Sequence, residues 1–287
     1  MAESEIRRVS GCDEEDRISN LPEHLIDSIL EPLPVEDAIN LPELKKLKLV
    51  ACTNVNNFNF TATKLKYLLV FGCPDAMLLR LLNSPCLTEV GMYLQNPIED
   101  NIRVERMTLV TMLSKLPKIE VLTLYGLFFK AVIAEKIPKW LPHAVNSLKY
   151  LWLFEFEVGD LDQLEGVLCL IRNSPNLETL TVNSLKMEFQ VIDRYDVGPA
   201  ADHLESPNCL DCTLNQLELV EITDLNGSRP ELLFIELLLA HSPSLNKFTI
   251  RPSGASDLQK RFDILKDVIQ FPRASPKARI LFLDPKT

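Results

Sequence analysis

Glycine is scarce in this sequence, nine residues in 287, against nineteen prolines. That balance disfavours flexible linkers and favours many defined turns. Long hydrophobic runs are missing too. The most apolar stretch, Leu232–Ala240, is short and carries Glu236, so no bilayer-spanning segment and no membrane role are expected. Met1–Asp16 is polar and acidic and has no apolar signal core, which argues against secretion. Seven cysteines, an odd number, then read as reduced thiols of a cytoplasmic or nuclear protein. Basic residues are outnumbered 30 to 40, giving a net charge of −10. Duplex DNA repels such a surface, so nucleic acid is not an expected partner. The four histidines (His24, His143, His203, His241) stand at no recognisable spacing from a nucleophile. No G-x-S-x-G, H-E-x-x-H or glycine-rich phosphate loop occurs. Catalysis, a cofactor and a metal are therefore not expected.

Repetition is what the sequence does contain. The pattern Leu-x-x-Leu-x-Leu, with other aliphatics or Phe allowed, occurs at Leu44-Leu47-Leu49, Leu65-Leu68-Val70, Leu87-Val90-Met92 and Ile119-Leu122-Leu124. It returns at Leu148-Leu151-Leu153, Leu177-Leu180-Val182, Leu214-Leu217-Leu219 and Leu245-Phe248-Ile250. Successive starts lie 21, 22, 32, 29, 29, 37 and 31 residues apart. One such hexamer means little in a leucine-rich chain, but a second feature keeps phase with it. Apolar helix ends run into Asn83-Ser84-Pro85, Asn173-Ser174-Pro175 and His241-Ser242-Pro243, each just before a repeat start. Proline cannot extend the helix and forces its predecessor to extended geometry. Each unit thus reads as helix, stop, short strand, turn. The expected fold is an α/β leucine-rich-repeat solenoid, a curved parallel sheet of about eight strands backed by helices. Cys52 and Cys73, eight residues after their starts, fit the turn slot that takes Asn or Cys. Cys86 and Cys169 lie in apolar helix-end contexts and are expected in the core.

Side chains alternate across a strand, so the second, fourth and sixth residues after each start should line the concave face. Those slots hold Tyr67, Leu69 and Phe71; Glu89, Gly91 and Tyr93; Val121, Thr123 and Tyr125; and Tyr150, Trp152 and Phe154. Lys46 and Lys48 stand in the first repeat, and Thr179, Thr181, Glu218, Lys247 and Arg251 in the last ones. Four of the five tyrosines fall in these slots, where random placement would put about 0.4, a figure that the strand preference of aromatics raises. Tyr67, Phe71, Tyr93, Tyr125, Tyr150, Trp152 and Phe154 are therefore the candidate target-binding residues, since aromatics concentrate at interaction hot spots. The alternative is that the rings only fill strand positions. Residues 186–213 form the longest interruption. They read as a surface loop whose Cys209-x-x-Cys212 with His203 could supply three zinc ligands, but more simply holds loop thiols.

The segment Asp16-Arg17-Ile18-Ser19-Asn20-Leu21-Pro22-Glu23-His24-Leu25-Ile26, continuing through Ile29-Leu30-Glu31-Pro32-Leu33-Pro34 to Ala38, closely resembles the start of a plant F-box. Leu25, Ile26, Ile29, Leu30 and Leu33 make one apolar helical stripe that a single short helix cannot bury alone. The family's second half is absent: Asn40 runs directly into Leu41-Pro42-Glu43-Leu44. Arg273-Ala274-Ser275-Pro276 through Asp284 resembles the ending of the FBD module of plant F-box/leucine-rich-repeat proteins. The resemblance implies residues 1–15 as a disordered acidic lead, 16–39 as a partial F-box, 41–250 as repeats and 245–287 as an FBD-like cap. It also implies the substrate-recognition subunit of a Skp-cullin-F-box (SCF) ubiquitin ligase, itself non-catalytic and monomeric outside its complex. A Skp-like adaptor would be contacted by Leu21, Pro22, Leu25, Ile29, Leu30 and Leu33, and an unknown target protein by the repeats. The shortened F-box leaves open an adaptor-independent interaction module that competes with intact relatives, or a truncated relic.

Overall fold

A computed structural model describes residues 44–50, 63–72, 82–94, 108–133, 137–184 and 197–285. Every repeat start in it leads into a short strand. These are β1 (Lys46–Val50), β2 (Tyr67–Phe71), β3 (Glu89–Tyr93), β4 (Val121–Tyr125), β5 (Tyr150–Phe154), β6 (Thr179–Asn183), β7 (Leu219–Leu225) and β8 (Lys247–Pro252). A ninth strand, β9 (Arg279–Phe282), follows the last Ser-Pro turn. All described pairings are parallel, and the strands lie side by side in chain order from β1 to β9. The described helices are α1 (Leu109–Ser114), α2 (Gly126–Val132), α3 (Leu161–Arg172), α4 (Gly198–Glu205), α5 (Arg229–His241) and α6 (Leu258–Gln270). From α2 to α6 each packs on the next, forming the back row of the solenoid.

The strands are short because only two residues per strand face the helices. Leu47 and Leu49, Leu68 and Val70, Leu122 and Leu124, Leu151 and Leu153, and Leu180 and Val182 are all buried, alternating with residues that reach the other face. These leucines join the inner faces of α2, α3 and α5, among them Phe128, Phe129, Leu164, Leu168, Phe234 and Leu238, in one continuous core. Six of the described units carry the same tight turn before their strand. The N–H of the first repeat residue donates to the carbonyl three residues back: Leu87 to Ser84, Ile119 to Leu116, Leu148 to Val145, Leu177 to Ser174, Leu217 to Leu214 and Leu245 to Ser242. These turns also serve the neighbouring helices. Val145 N–H donates to Asn173 O at the end of α3, and Leu214 N–H to His241 O at the end of α5, so orphan carbonyls at a helix end are met by the turn one unit earlier.

The helices start where capping chemistry allows. Asp160 caps α3 by accepting from Gln163 N, Asp257 caps α6 by accepting from Lys260 N, and Ser228 with Glu231 forms a capping box on α5. The strands end in a repeated backbone feature. Gly72, Glu155 and Asp224, each seven residues after its repeat start, adopt φ of 65°, 55° and 60°. Outside glycine that conformation costs roughly 1–2 kcal/mol.

Two sequence expectations need correction. The seventh unit starts at Leu217, not Leu214. Thr179 pairs with Leu219 and Leu219 with Lys247, so the buried triplet is Leu217-Val220-Ile222, and the adjacent spacings become 40 and 28. Residues 186–213 are not wholly loop either. Within them α4 packs between α3 and α5, and Cys209 is buried in the core while Cys212 is half-buried. Residues 1–43, including the partial F-box, and Cys52 and Cys73 lie outside the described residues.

Candidate functional site

The face of the sheet opposite the helices presents three rows of side chains, one for each outward position of the strands. In the first row Lys46, Tyr67, Glu89, Val121, Tyr150, Thr179, Leu219 and Lys247 are register partners in turn. The second row runs Lys48, Leu69, Gly91, Thr123, Trp152, Thr181, Glu221 and Thr249. The third begins Val50, Phe71, Tyr93, and continues through Tyr125, Phe154, Asn183 and Thr223 to Arg251. All seven aromatic candidates therefore stand on this open face. Glu218 does not: it precedes β7, and Leu219, Glu221 and Thr223 hold the slots that the Leu214 start had misassigned.

Four of the rings form one ladder along the strand ends. Phe71 stacks on Tyr93 with centroids 3.9 Å apart, and Tyr125 stacks on Phe154 at 4.9 Å. Tyr93 meets Tyr125 edge-on at 5.1 Å, joining the two stacks. Offset-stacked and edge-to-face geometries are both attractive for aromatic quadrupoles. The consequence is that Tyr93 is buried at 8% exposure although it points away from the core. Burial, and secondly the Glu155 carboxylate behind the row, push the Tyr93 and Tyr125 phenols up from their ordinary value.

The other three rings occupy the two earlier rows. Tyr67 lies under the Lys48 ammonium, 5.9 Å from the ring centroid. Trp152, in the middle of β5, is 37% exposed. Gly91, beside Leu69, leaves room for that side chain: a Cβ there would stand 2.7 Å from Leu69 Cδ1. Past Phe154 the third row turns polar. Asn183 Nδ2 donates to Thr223 Oγ1 at 2.8 Å and to Asp224 Oδ2 at 3.1 Å. The same sixth-position offset that found Phe154 points to Asn183, but a ring-based search passes over it.

The face thus offers a broad, shallow, partly aromatic surface, suited to a macromolecular partner rather than an enclosed small ligand. The described residues hold no cluster of three or more His, Cys, Asp or Glu able to grip a metal. His203 Nδ1 lies 3.8 Å from Glu165, on the helix side.

Comparison with known proteins agrees with the repeats. The FBD family model matches residues 207–250, which hold β7, α5 and the first part of β8 and share 245–250 with the segment expected to be FBD-like. An F-box/FBD/LRR-repeat protein of Arabidopsis thaliana is 30% identical over 261 residues, 90% of this chain and 59% of the relative. Two further F-box/FBD/LRR-repeat proteins of Arabidopsis thaliana are 30% and 27% identical over 39% and 42% of this chain, and 27% and 26% of their own lengths. The chain therefore spans less than two thirds of the length of these relatives. A crystal structure of an internalin from Listeria monocytogenes covers 91% of this chain and 73% of its own at 14% identity, with a TM-score of 0.32. The fold assignment rests on the chain's own nine-stranded sheet and not on that overlap. Over 90% of its length the chain is thus similar to an F-box/FBD/LRR-repeat protein, and residues 207–250 match the FBD family.

Proposed function

We propose that this chain is a non-catalytic recognition subunit that holds a target protein on the open face of its sheet and delivers it to an SCF-type ubiquitin ligase. The observation that carries the first half is the aromatic ladder with Trp152 beside it: preorganised rings on a rigid sheet, with one large ring left to solvent. Rigid aromatics supply contact area at low rotamer cost. Tyr67, Phe71, Tyr93, Tyr125, Tyr150, Trp152 and Phe154 would form the target surface. The second half is supported by the similarity to F-box/FBD/LRR-repeat proteins and by the F-box-like residues 16–38. There Leu21, Pro22, Leu25, Ile29, Leu30 and Leu33 would dock a Skp-like adaptor in the cytoplasm or nucleus.

A second reading is favoured by one specific observation. The F-box-like stretch passes from Asn40 straight into the first repeat. On that reading the chain binds targets without the adaptor and competes with relatives that bear a whole F-box. A pull-down of purified adaptor decides between the two, using the wild-type chain beside a Leu30→Asp, Leu33→Asp variant. Capture that the variant loses supports the ligase subunit. A cooperatively folded wild-type chain that captures no adaptor supports the free module.

A further inference from the structure

The charge of this chain is distributed unevenly. Between Glu43 and Asp75 there is no acidic residue and there are five lysines, Lys45, Lys46, Lys48, Lys64 and Lys66. That stretch carries +5 in a chain of −10, which leaves −15 on the rest. The fold gathers these lysines at one end of the candidate site. Lys46 and Lys48 occupy outward positions on β1, Lys45 and Lys66 precede β1 and β2, Lys64 lies in the turn before β2, and all five are exposed. Lys46 and Lys48 share the outward face of β1, and Lys45 and Lys66 are neighbours just before β1 and β2, so like charges gather at this end. Next to them, the open face supplies the Tyr67 ring and, at the far ends of β2 and β3, the Phe71–Tyr93 stack.

We propose that the β1–β2 end of the open face receives an acidic segment of the target protein. This rests on the reading that the open face holds the target, and it names the chemistry that the target must present. β1 carries Lys46 and Lys48, neither β1 nor β2 carries a carboxylate, Glu89 follows on β3, and aromatic rings stand beside them. A partner's carboxylates would lie over the lysines while its neighbouring side chains meet the ladder. The rest of the chain is acidic on balance, so the electrostatics favour the partner's approach at this end of the sheet.

The test is fluorescence anisotropy of a labelled glutamate-rich peptide titrated with the full chain, beside a glutamine peptide of equal length. The glutamate peptide is expected to bind saturably and to weaken as salt rises. Lys46→Glu with Lys48→Glu should reduce that affinity by about tenfold or more. Lys46→Gln with Lys48→Gln should fall between, and Lys260→Glu with Lys266→Glu on α6 should leave it unchanged. Equal thermal midpoints of the variants separate loss of binding from loss of fold. Equal binding of the glutamine peptide, preference for inorganic polyphosphate over the peptide, or no binding by the full chain would each overturn the proposal. A target protein once identified keeps the two readings apart. Capture that survives Lys46→Glu with Lys48→Glu but is lost in Tyr150→Ala with Trp152→Ala overturns the acidic segment and leaves the open-face reading standing.

Discussion

The ring of Phe71 lies flat on that of Tyr93, 3.9 Å between centroids with an interplanar angle of 11°. Residues that look like surface contacts are therefore partly structural, because each shields the other from water. Trp152, exposed in the adjacent row two strands beyond Tyr93, carries no such duty in the ladder. Tyr93→Ala is expected to cost about 3 kcal/mol of unfolding free energy. Trp152→Ala should leave stability within about 1 kcal/mol and reduce target affinity instead. Urea unfolding and target capture on the two variants check this. A destabilised Trp152→Ala protein would remove the distinction.

Gly126 opens α2 directly after β4, and a Cβ there would overlap the carbonyl oxygen of Glu155. That oxygen belongs to backbone held at φ 55°, so it cannot swing aside as a side chain would. Gly126→Ala should destabilise the chain by about 2 kcal/mol or more, measured by denaturant midpoint. An unchanged midpoint would show that β5 and α2 are less tightly docked than their packing indicates.

The register of β7 can be tested with two leucines two residues apart. Leu217 is fully buried and Leu219 is 42% exposed. Leu217→Ala should cost roughly 2–5 kcal/mol, and Leu219→Ser less than about 0.5 kcal/mol. Comparable losses at both sites would restore the Leu214 start.

Burial pushes the thiols of Cys169 and Cys209 up to about 11 from an ordinary 9.0, with Arg172 opposing the shift in both and Asn173 in Cys169. The neutral thiol is thus favoured in the fold. The stability this confers is complete below about pH 9 and is lost as pH rises towards about 11, because the unfolded chain ionises first. Thermal midpoints should fall over that window, and less steeply in a Cys169→Ala, Cys209→Ala variant. Both thiols should also react slowly with alkylating reagents at neutral pH.

Most of this architecture is legible in the sequence because each unit states it twice, once in its buried triplet and once in the turn before it. Where Ser84-Pro85, Ser174-Pro175 and Ser242-Pro243 mark the turn, the repeat start follows three residues after the serine without ambiguity. The seventh unit lacks that mark. Leu214, Leu217 and Leu219 satisfy the pattern as well as Leu217, Val220 and Ile222 do, and only pairing with β6 and β8 decides between them. The ring positions were legible from strand alternation. Their mutual stacking was not, since it depends on register across three strands. α4 escaped because a short helix inside a polar interruption has little apolar periodicity to announce it.

The buried turns have a consequence for covalent modification. The sequence contains five Ser-Pro dipeptides, at Ser84, Ser174, Ser206, Ser242 and Ser275, each of the kind that proline-directed kinases read. Four of these hydroxyls are sealed in the core, with Ser84 the most accessible at 4%, and Ser275 donates its proton to Leu245 O at 2.7 Å. Only Ser206, at the end of α4, stands in solvent. Phosphate at Ser206 could be added to the intact protein. Phosphate at any of the other four would record that a repeat had come open, and its two charges would keep that repeat from closing again.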